Sequence, residues 1–281
     1  MKRLTIIITW LFFLYIGCVG TDSKQTVEKS DIITLDTISD TLSSFVEEQE
    51  IISQAEIVYP HNIEEIKRDM LELVKMSGQG EDFEGYPDSI NVDTTDMQSL
   101  VKYLVKSKYE WLKDNFSDGE PSEIPLCYEF NVYVLDDTAE YLTLAVKEAT
   151  LYGGPGPRLT SYGITYLKPD GKKIGVKDLN SSKTDEIKNE LQKKVESYIA
   201  KLIEGEDFKV DDVLYYKNGT LPENQFDFPY NGLYIDGDSV VFPYQSEELT
   251  ARTFGTPEVK LSLRQMKAEG WLGKSLSDII K

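Results

Sequence analysis

Hydrophobic spacing changes from a helical period to period two midway along this chain, and that mixture sets the fold class. From residue 63 to 114, apolar residues recur every three or four positions. Ile63, Ile66, Met70, Leu73 and Val74 form one stripe. Met97, Leu100, Val101, Leu104, Val105, Trp111 and Leu112 form another. Such stripes predict amphipathic helices over 63–76 and about 96–114. Asn62 with Glu65, and Thr95 with Gln98, have the spacing of helix starts. From 126 the period becomes two. Segments 126–135, 140–152 and 158–168 alternate apolar and polar residues, rich in Tyr, Val, Leu and Thr, and predict strands. Lys168-Pro169-Asp170-Gly171-Lys172 predicts a turn. A third helix follows Asp178-Leu179, with Ser182 as its cap. Its buried face is Ile187, Leu191, Val195, Tyr198, Ile199 and Leu202. Short strands are expected near 225–229, 232–236, 239–244 and 257–263, with Asp236-Gly237 as a two-residue hairpin turn. Trp271 and Leu272 precede a short last helix. The expected fold is α+β: antiparallel sheets packed with about three amphipathic helices.

Charge and residue counts narrow the chemistry. The 281 residues carry 30 Lys and Arg against 49 Asp and Glu, a net charge of -19. Such a chain repels phosphate backbones, so no nucleic-acid partner is expected. One histidine, His61, cannot build a multi-histidine metal site, and two cysteines make neither a zinc finger nor a disulfide scaffold. Gly153-Gly154-Pro155-Gly156-Pro157 is glycine-rich but opens no helix, so it is no phosphate cradle. No cofactor and no metal are expected.

The first residues point to an address. Lys2 and Arg3 precede an apolar run from Leu4 to Gly17, which has the form of a secretory leader and is short for a membrane span. It ends in Tyr15-Ile16-Gly17-Cys18, which resembles a bacterial lipobox; Tyr15 departs from the usual Leu. The resemblance makes Cys18 the lipid anchor, with residues 1–17 removed. An ordinary cleavage site or an uncleaved anchor are the alternatives. Without Lys2 and Arg3 the balance is 28 basic to 49 acidic residues, or -21. A lipid would then hold the protein in the cell envelope, on the periplasmic face or the cell surface. Residues 18–50, rich in Asp, Glu, Ser and Thr, read as a tether, and 51–281 as one domain. Asp36-Thr37-Ile38, Asp40-Thr41-Leu42, Asp93-Thr94-Thr95 and Asp137-Thr138-Ala139 resemble a bacterial O-glycosylation acceptor; a solvated acidic linker has the same composition. Cys127, left without a partner, is expected to be buried and inert.

Four stretches carry a wider resemblance. They are Ile90-Asn91 before the second helix, Leu142 to Gly154, Tyr166 to Leu179, and Gly232 to Leu263. In order and spacing they resemble the extracytoplasmic domain of RsiV-like proteins, a domain of unknown function also found beside polysaccharide deacetylases and in bacterial lipoproteins. The resemblance implies binding more than catalysis, since the RsiV relative recognises lysozyme. This chain departs from the pattern at Gly153-Gly154-Pro155-Gly156, where the family often has Gly-Gly-Ala-His. Only Met1-Lys2-Arg3 precedes the apolar run, so no cytoplasmic anti-sigma domain is expected.

Tyr152, Gly153, Gly154 and Arg158 mark the end of the longest predicted strand. With Tyr162 and Tyr166 they are the candidate ligand-binding residues, because Tyr and Arg are the types that dominate binding hot spots. The plainer reading is a corner between strands where glycines relieve strain. Residues 158–201 hold ten Lys or Arg against six Asp or Glu, a local excess that suits an anionic polymer or acidic partner, or simply a solubilised surface. No catalytic residue is assigned. Asp136-Asp137, Asp211-Asp212 and Glu247-Glu248 are neighbours, as expected by chance among so many acids. The leading reading is a non-catalytic binding module for a lysozyme-type protein or a cell-wall glycan. The rivals are a carboxylate-dependent glycan-active enzyme and a structural envelope protein without a ligand.

Overall fold

A computed structural model describes residues 33–46, 48–79, 92–116, 124–152, 156–168, 170–220 and 225–279. The leader and Cys18 lie outside them, as do Gly153 and Gly154. The first elements are a long hairpin, strands β1 (Leu35–Val46) and β2 (Gln49–Pro60), paired antiparallel along their length. This corrects the tether expected over 18–50: from Leu35 onward that segment is an edge strand. Ile38 and Val46 face the core, Leu35 packs against it at the strand end, and the remaining positions are mostly Asp, Ser and Thr. An edge strand needs only one apolar row, so its alternation is faint in the sequence.

Helices α1 (Glu64–Gln79) and α2 (Met97–Phe116) follow, and the chain returns as β3 (Leu126–Asp137). Strand β3 runs parallel to β2, because the two helices carry the chain back to the same end of the sheet. The expected sheet was purely antiparallel; one parallel pair sits inside it. Strands β4 (Tyr141–Leu151) and β5 (Arg158–Leu167) complete the order β1-β2-β3-β4-β5 by antiparallel pairing. Both helices lie on one face. Ile66, Met70 and Val74 of α1 and Leu100, Leu104 and Leu112 of α2 meet Ile51, Ile57, Phe130 and Leu144 of the sheet, all essentially inaccessible to water.

The second layer opens with two 3-10 turns, 176–178 and 181–183, and helix α3 (Thr184–Leu202). Asn180, not Ser182, caps this region: its side chain accepts from Ser182 N–H at 3.1 Å. Ile187, Leu191, Val195 and Ile199 are buried as expected, whereas Leu202 is exposed. Short helices α4 (Val210–Val213) and α5 (Tyr215–Asn218) come next. Strands β6 (Tyr234–Asp236), β7 (Ser239–Pro243) and β8 (Glu258–Ser262) form an antiparallel sheet. Helices α6 (Leu263–Ala268) and α7 (Lys274–Ile279) end the described chain. The hairpin turn is Gly237-Asp238, with Gly237 at φ 57, a value that favours glycine. Residues 225–229 are not a strand. They run without a ladder partner while Phe226 and Phe228 pack on the second core.

The second sheet docks on the uncovered face of the first. Thr165 Oγ1 lies 2.8 Å from Thr143 Oγ1 and accepts the Ile235 N–H at 2.8 Å, so a buried pair of hydroxyls closes the seam. A bulge at Leu135 shifts the β3–β4 register and turns Asp136 toward the seam. There Asp136 accepts from the Tyr141 hydroxyl at 2.6 Å and from Gly237 N–H at 3.1 Å. Where β4 and β5 are covered on both sides, residues 141–146 and 163–166 are all buried. Lower on that face, Gln54, Glu129, Asn131 and Lys147 meet solvent. Cys127 is there too, half-buried rather than buried. Its thiol is pushed up by burial first, then by Glu129 and Glu50, and so stays protonated and unreactive.

Candidate functional site

Residues of like parity in a strand share a face. Arg158, Tyr162 and Tyr166 therefore point with Glu148 and Tyr152 toward the helix side of the sheet. The structure thus brings four of the six candidate residues to one face but sorts them by depth. Tyr166 is 1% exposed, deep in the helix–sheet core, where burial, then Asp69 and Tyr162, raise its phenol far above the ordinary range. Tyr162 is half-buried, its phenol pushed up to about 12 by burial first and Glu148 second. Tyr152 is half-buried at the strand end, and Arg158 is exposed. The open tyrosine face expected around Tyr152, Tyr162 and Tyr166 is therefore closed at Tyr166, because α1 and α2 cover that end.

Beneath the strand end lies a polar cluster. Lys108 of α2 is 4% exposed. Its Nζ stands 3.9 Å from Glu148 Oε1 and 5.0 Å from the centre of the Tyr128 ring. Burial first, then Glu148, raise the Tyr128 phenol well above its usual value. A buried lysine is tolerated when a carboxylate and an aromatic face replace water. Outside the cluster stands a rim of three rings. Phe116 stacks on Tyr152 at 4.8 Å, and Trp111 meets both edge-on, at 5.0 Å to Phe116 and 5.8 Å to Tyr152. Chemically the arrangement holds the Tyr128 and Tyr162 phenols protonated and pairs its amine with its carboxylate. It supplies hydrogen-bond donors and ring surface rather than a free base. Sequence reasoning missed Lys108 and Phe116. Both had a signal: Lys108 interrupts the apolar stripe between Leu104 and Leu112, and Phe116 extends it.

The far side of the corner is fixed by residues 244–255. The Gln245 carboxamide acts as one residue of an extra strand: Oε1 accepts from Ser161 N–H at 3.0 Å, and Nε2 donates to Ser161 O at 3.0 Å. Arg252 Nη2 donates to Gly156 O at 2.6 Å. Gln245 and Arg252, inside the stretch Gly232 to Leu263, thus hold the β4–β5 corner across about ninety residues of sequence. Glu248 anchors this segment. It accepts from Gln245 N–H at 2.8 Å and Tyr230 N–H at 2.9 Å, and burial raises its carboxyl above the ordinary range against those two bonds.

The other paired carboxylates have structural partners. Asp137 meets Lys168 at 2.5 Å, Asp211 meets Lys217 at 2.8 Å, and Asp212 accepts from Lys209 N–H at 3.0 Å. Lys172 of the basic hairpin bonds the buried Asp178 at 2.6 Å. Of the four acceptor-like tripeptides, Thr37 and Thr41 are exposed on β1. Thr138 is committed to its turn, accepting from Tyr141 N–H at 3.1 Å. Among the described residues no group of three His, Cys, Asp or Glu side chains could hold a metal ion, and no helix is long and apolar enough to cross a membrane.

No family model matches this chain, and no curated protein does. Solved structures do. A member of the DUF3298 family from Bacteroides fragilis is 12% identical and covers 90% of this chain and 99% of its own, with a TM-score of 0.63. A DUF3298 family protein from Pseudomonas aeruginosa is 13% identical and covers 88% of this chain and 97% of its own, with a TM-score of 0.53. The likeness is one of fold, and it spans both layers.

Proposed function

We propose that this chain is a lipid-anchored protein of the bacterial cell envelope whose RsiV-like body is a non-catalytic binding module, with a lysozyme-type protein as its first candidate ligand. One observation carries the reading: the Trp111, Phe116 and Tyr152 rings gather beside the exposed Arg158 at one end of the sheet. Aromatic side chains next to an arginine are the residue types that supply most binding energy at protein interfaces. The acidic surface suits lysozyme-type proteins, which are typically basic. The fold shared with DUF3298 proteins is compatible with this role. The rival reading, glycan hydrolysis, needs two carboxylates facing each other across a cleft. The neighbouring pairs here are held by lysines, a phenol and backbone amides instead. Cell-wall glycan is the alternative ligand, and a purely structural role is what remains if neither binds.

Calorimetry tests the reading, using the full chain in detergent micelles and lysozyme as probe, at low and high salt. Salt matters because an acidic surface attracts any basic protein when screening is weak. Saturable one-to-one binding that survives high salt is expected, with a loss of about tenfold or more in Tyr152→Ala and Arg158→Glu. Binding abolished by salt, or indifferent to both substitutions, would sink the lysozyme assignment. The anchor is tested separately. Cys18→Ser is expected to move the protein from the membrane to the soluble fraction, and retention in the membrane would refute lipidation at that residue.

A further inference from the structure

A groove of about 300 Å³ runs between α3 and the outer strand of the second sheet. On the helix side it is lined by Lys194, Tyr198 and Lys201, which lie on one flank of α3 at helical spacing. Pro257, Glu258 and Lys260 line the strand side. Lys260 is paired with Asp236 at 2.7 Å, and the Glu258 carboxylate accepts from the Tyr234 hydroxyl. No described carboxylate pairs with Lys194 or Lys201. The two unpaired ammonium groups therefore give the groove a positive wall in a protein of net charge -19.

Its floor is a strand edge. Tyr244 N–H donates to Pro257 O, and Leu263 N–H donates to Asp238 O. In an antiparallel ladder such bonded pairs recur every second residue, so Val259 and Leu261 spend their backbone groups on β7. Glu258 and Lys260 then turn their N–H and C=O outward, where no described residue pairs with them. The other sheet treats an edge differently. At β5, Gln245 holds Ser161, and Tyr166 forms a bridge with Lys173. Among the described residues, strand β8 has no such backbone partner. An open sheet edge is a template to which an extended peptide can add as a further strand.

We propose that the α3–β8 groove binds an extended acidic peptide segment of a partner protein, which adds to β8 while its carboxylates meet Lys194 and Lys201. The ladder bonds of β8 hold the peptide backbone. Successive side chains of the peptide point to opposite faces, so one row faces α3: its carboxylates meet Lys194 and Lys201, and its stems lie on Tyr198 and Pro257. This uses the basic excess seen over 158–201 and is independent of the aromatic rim at the β4–β5 corner.

The test uses the full chain in detergent micelles and a fluorescent peptide of about ten residues alternating Glu and Thr, a length set by ordinary strands. Fluorescence anisotropy should show saturable binding. The double variant Lys194→Glu with Lys201→Glu should weaken it by about tenfold or more. Both residues lie on the outer flank of a helix, and circular dichroism confirms that the variant folds. A peptide of the same sequence with alternate backbone amides methylated keeps its charge but cannot pair, and should not bind. Four results would overturn the proposal: no binding of the parent peptide, affinity unchanged by the double variant, equal affinity for the methylated peptide, or equal affinity for dextran sulfate, which would indicate a polyanion site.

Discussion

A chain trimmed to residues 51–281 is expected to unfold at markedly lower denaturant and to self-associate, whereas one beginning at residue 33 should behave as the whole body does. Cutting at 51 removes β1 entirely. Leu35, Ile38 and Val46 then leave the helix-side core, and at roughly 1–2 kcal/mol for each partly buried side chain the loss is about 3–6 kcal/mol. The polar ties go with them. Ser44 is hydrogen-bonded to the Tyr109 hydroxyl, His61 Nδ1 lies 3.1 Å from Asp36, and Thr34 N–H donates to Asn62 at 3.0 Å. Domain stabilities are typically about 5–15 kcal/mol, so this is a large share. The cut also bares the edge of β2, which loses Gln49 and Glu50 of its twelve residues but keeps Ile51, Ala55, Ile57 and Tyr59 in the core. A long apolar edge is a template for association between copies. Denaturant unfolding and size-exclusion chromatography of the two trimmed chains decide the matter. Equal midpoints and two monomer peaks would show that β1 is dispensable.

The same strand shows where sequence reasoning reached its limit. Helices α1 and α2 were legible because each repeats one apolar row over several turns. Strands β3 to β5 were legible because apolar residues recur at every second position through much of each: Leu126 to Val134 in β3, Leu142 to Val146 in β4 and Tyr162 to Tyr166 in β5. Strand β1 presents only a sparse apolar row and so resembles linker. The parallel pairing of β2 with β3 depends on contacts between residues seventy-five apart, which no local pattern encodes. The candidate site divides along the same line. Tyr152, Arg158, Tyr162 and Tyr166 share a face, as strand parity requires. Their depths depend on which helix lies above each, and that is a tertiary fact. Lys108 was readable in principle, as a charge inside an apolar stripe. The meeting of Gln245 and Arg252 with the β4–β5 corner was not, because a side-chain amide in place of a strand leaves no mark on hydrophobic period.

Gly163→Ala should be among the most damaging single substitutions, although a Gly to Ala change in a strand is ordinarily mild or favourable. Gly163 sits in β5 directly beneath Tyr234 of β6. A methyl group there would lie 2.3 Å from Tyr234 Cγ, 2.4 Å from Cδ2 and 2.9 Å from Cβ. Real contacts of that length do not occur, so either the ring moves or the layers part. The ring has little room: Tyr234 is 6% exposed, and its hydroxyl is bound to Glu258. The Ile235 N–H bond to Thr165 begins one residue further on and would be strained by the same displacement. Overpacking of this kind costs about 1–3 kcal/mol when neighbours can adjust, and more when a buried hydrogen bond is lost with it. We expect about 3–5 kcal/mol in equilibrium unfolding. Two further variants identify the cause. Gly175 is extended at φ -161, with nothing within 4 Å of an added methyl, so Gly175→Ala should be nearly neutral. In a Tyr234→Ala background the two shortest contacts vanish and only the 2.9 Å approach to Cβ remains, so the added cost of Gly163→Ala should fall by about 2 kcal/mol or more. If that cost is unchanged without the ring, β5 needs glycine for its own backbone, and the seam between the layers is not held by the fit of Tyr234 on Gly163. If the cost falls, the absence of a side chain at residue 163 is what lets the second sheet approach the first closely enough for Thr165 to accept its hydrogen bond.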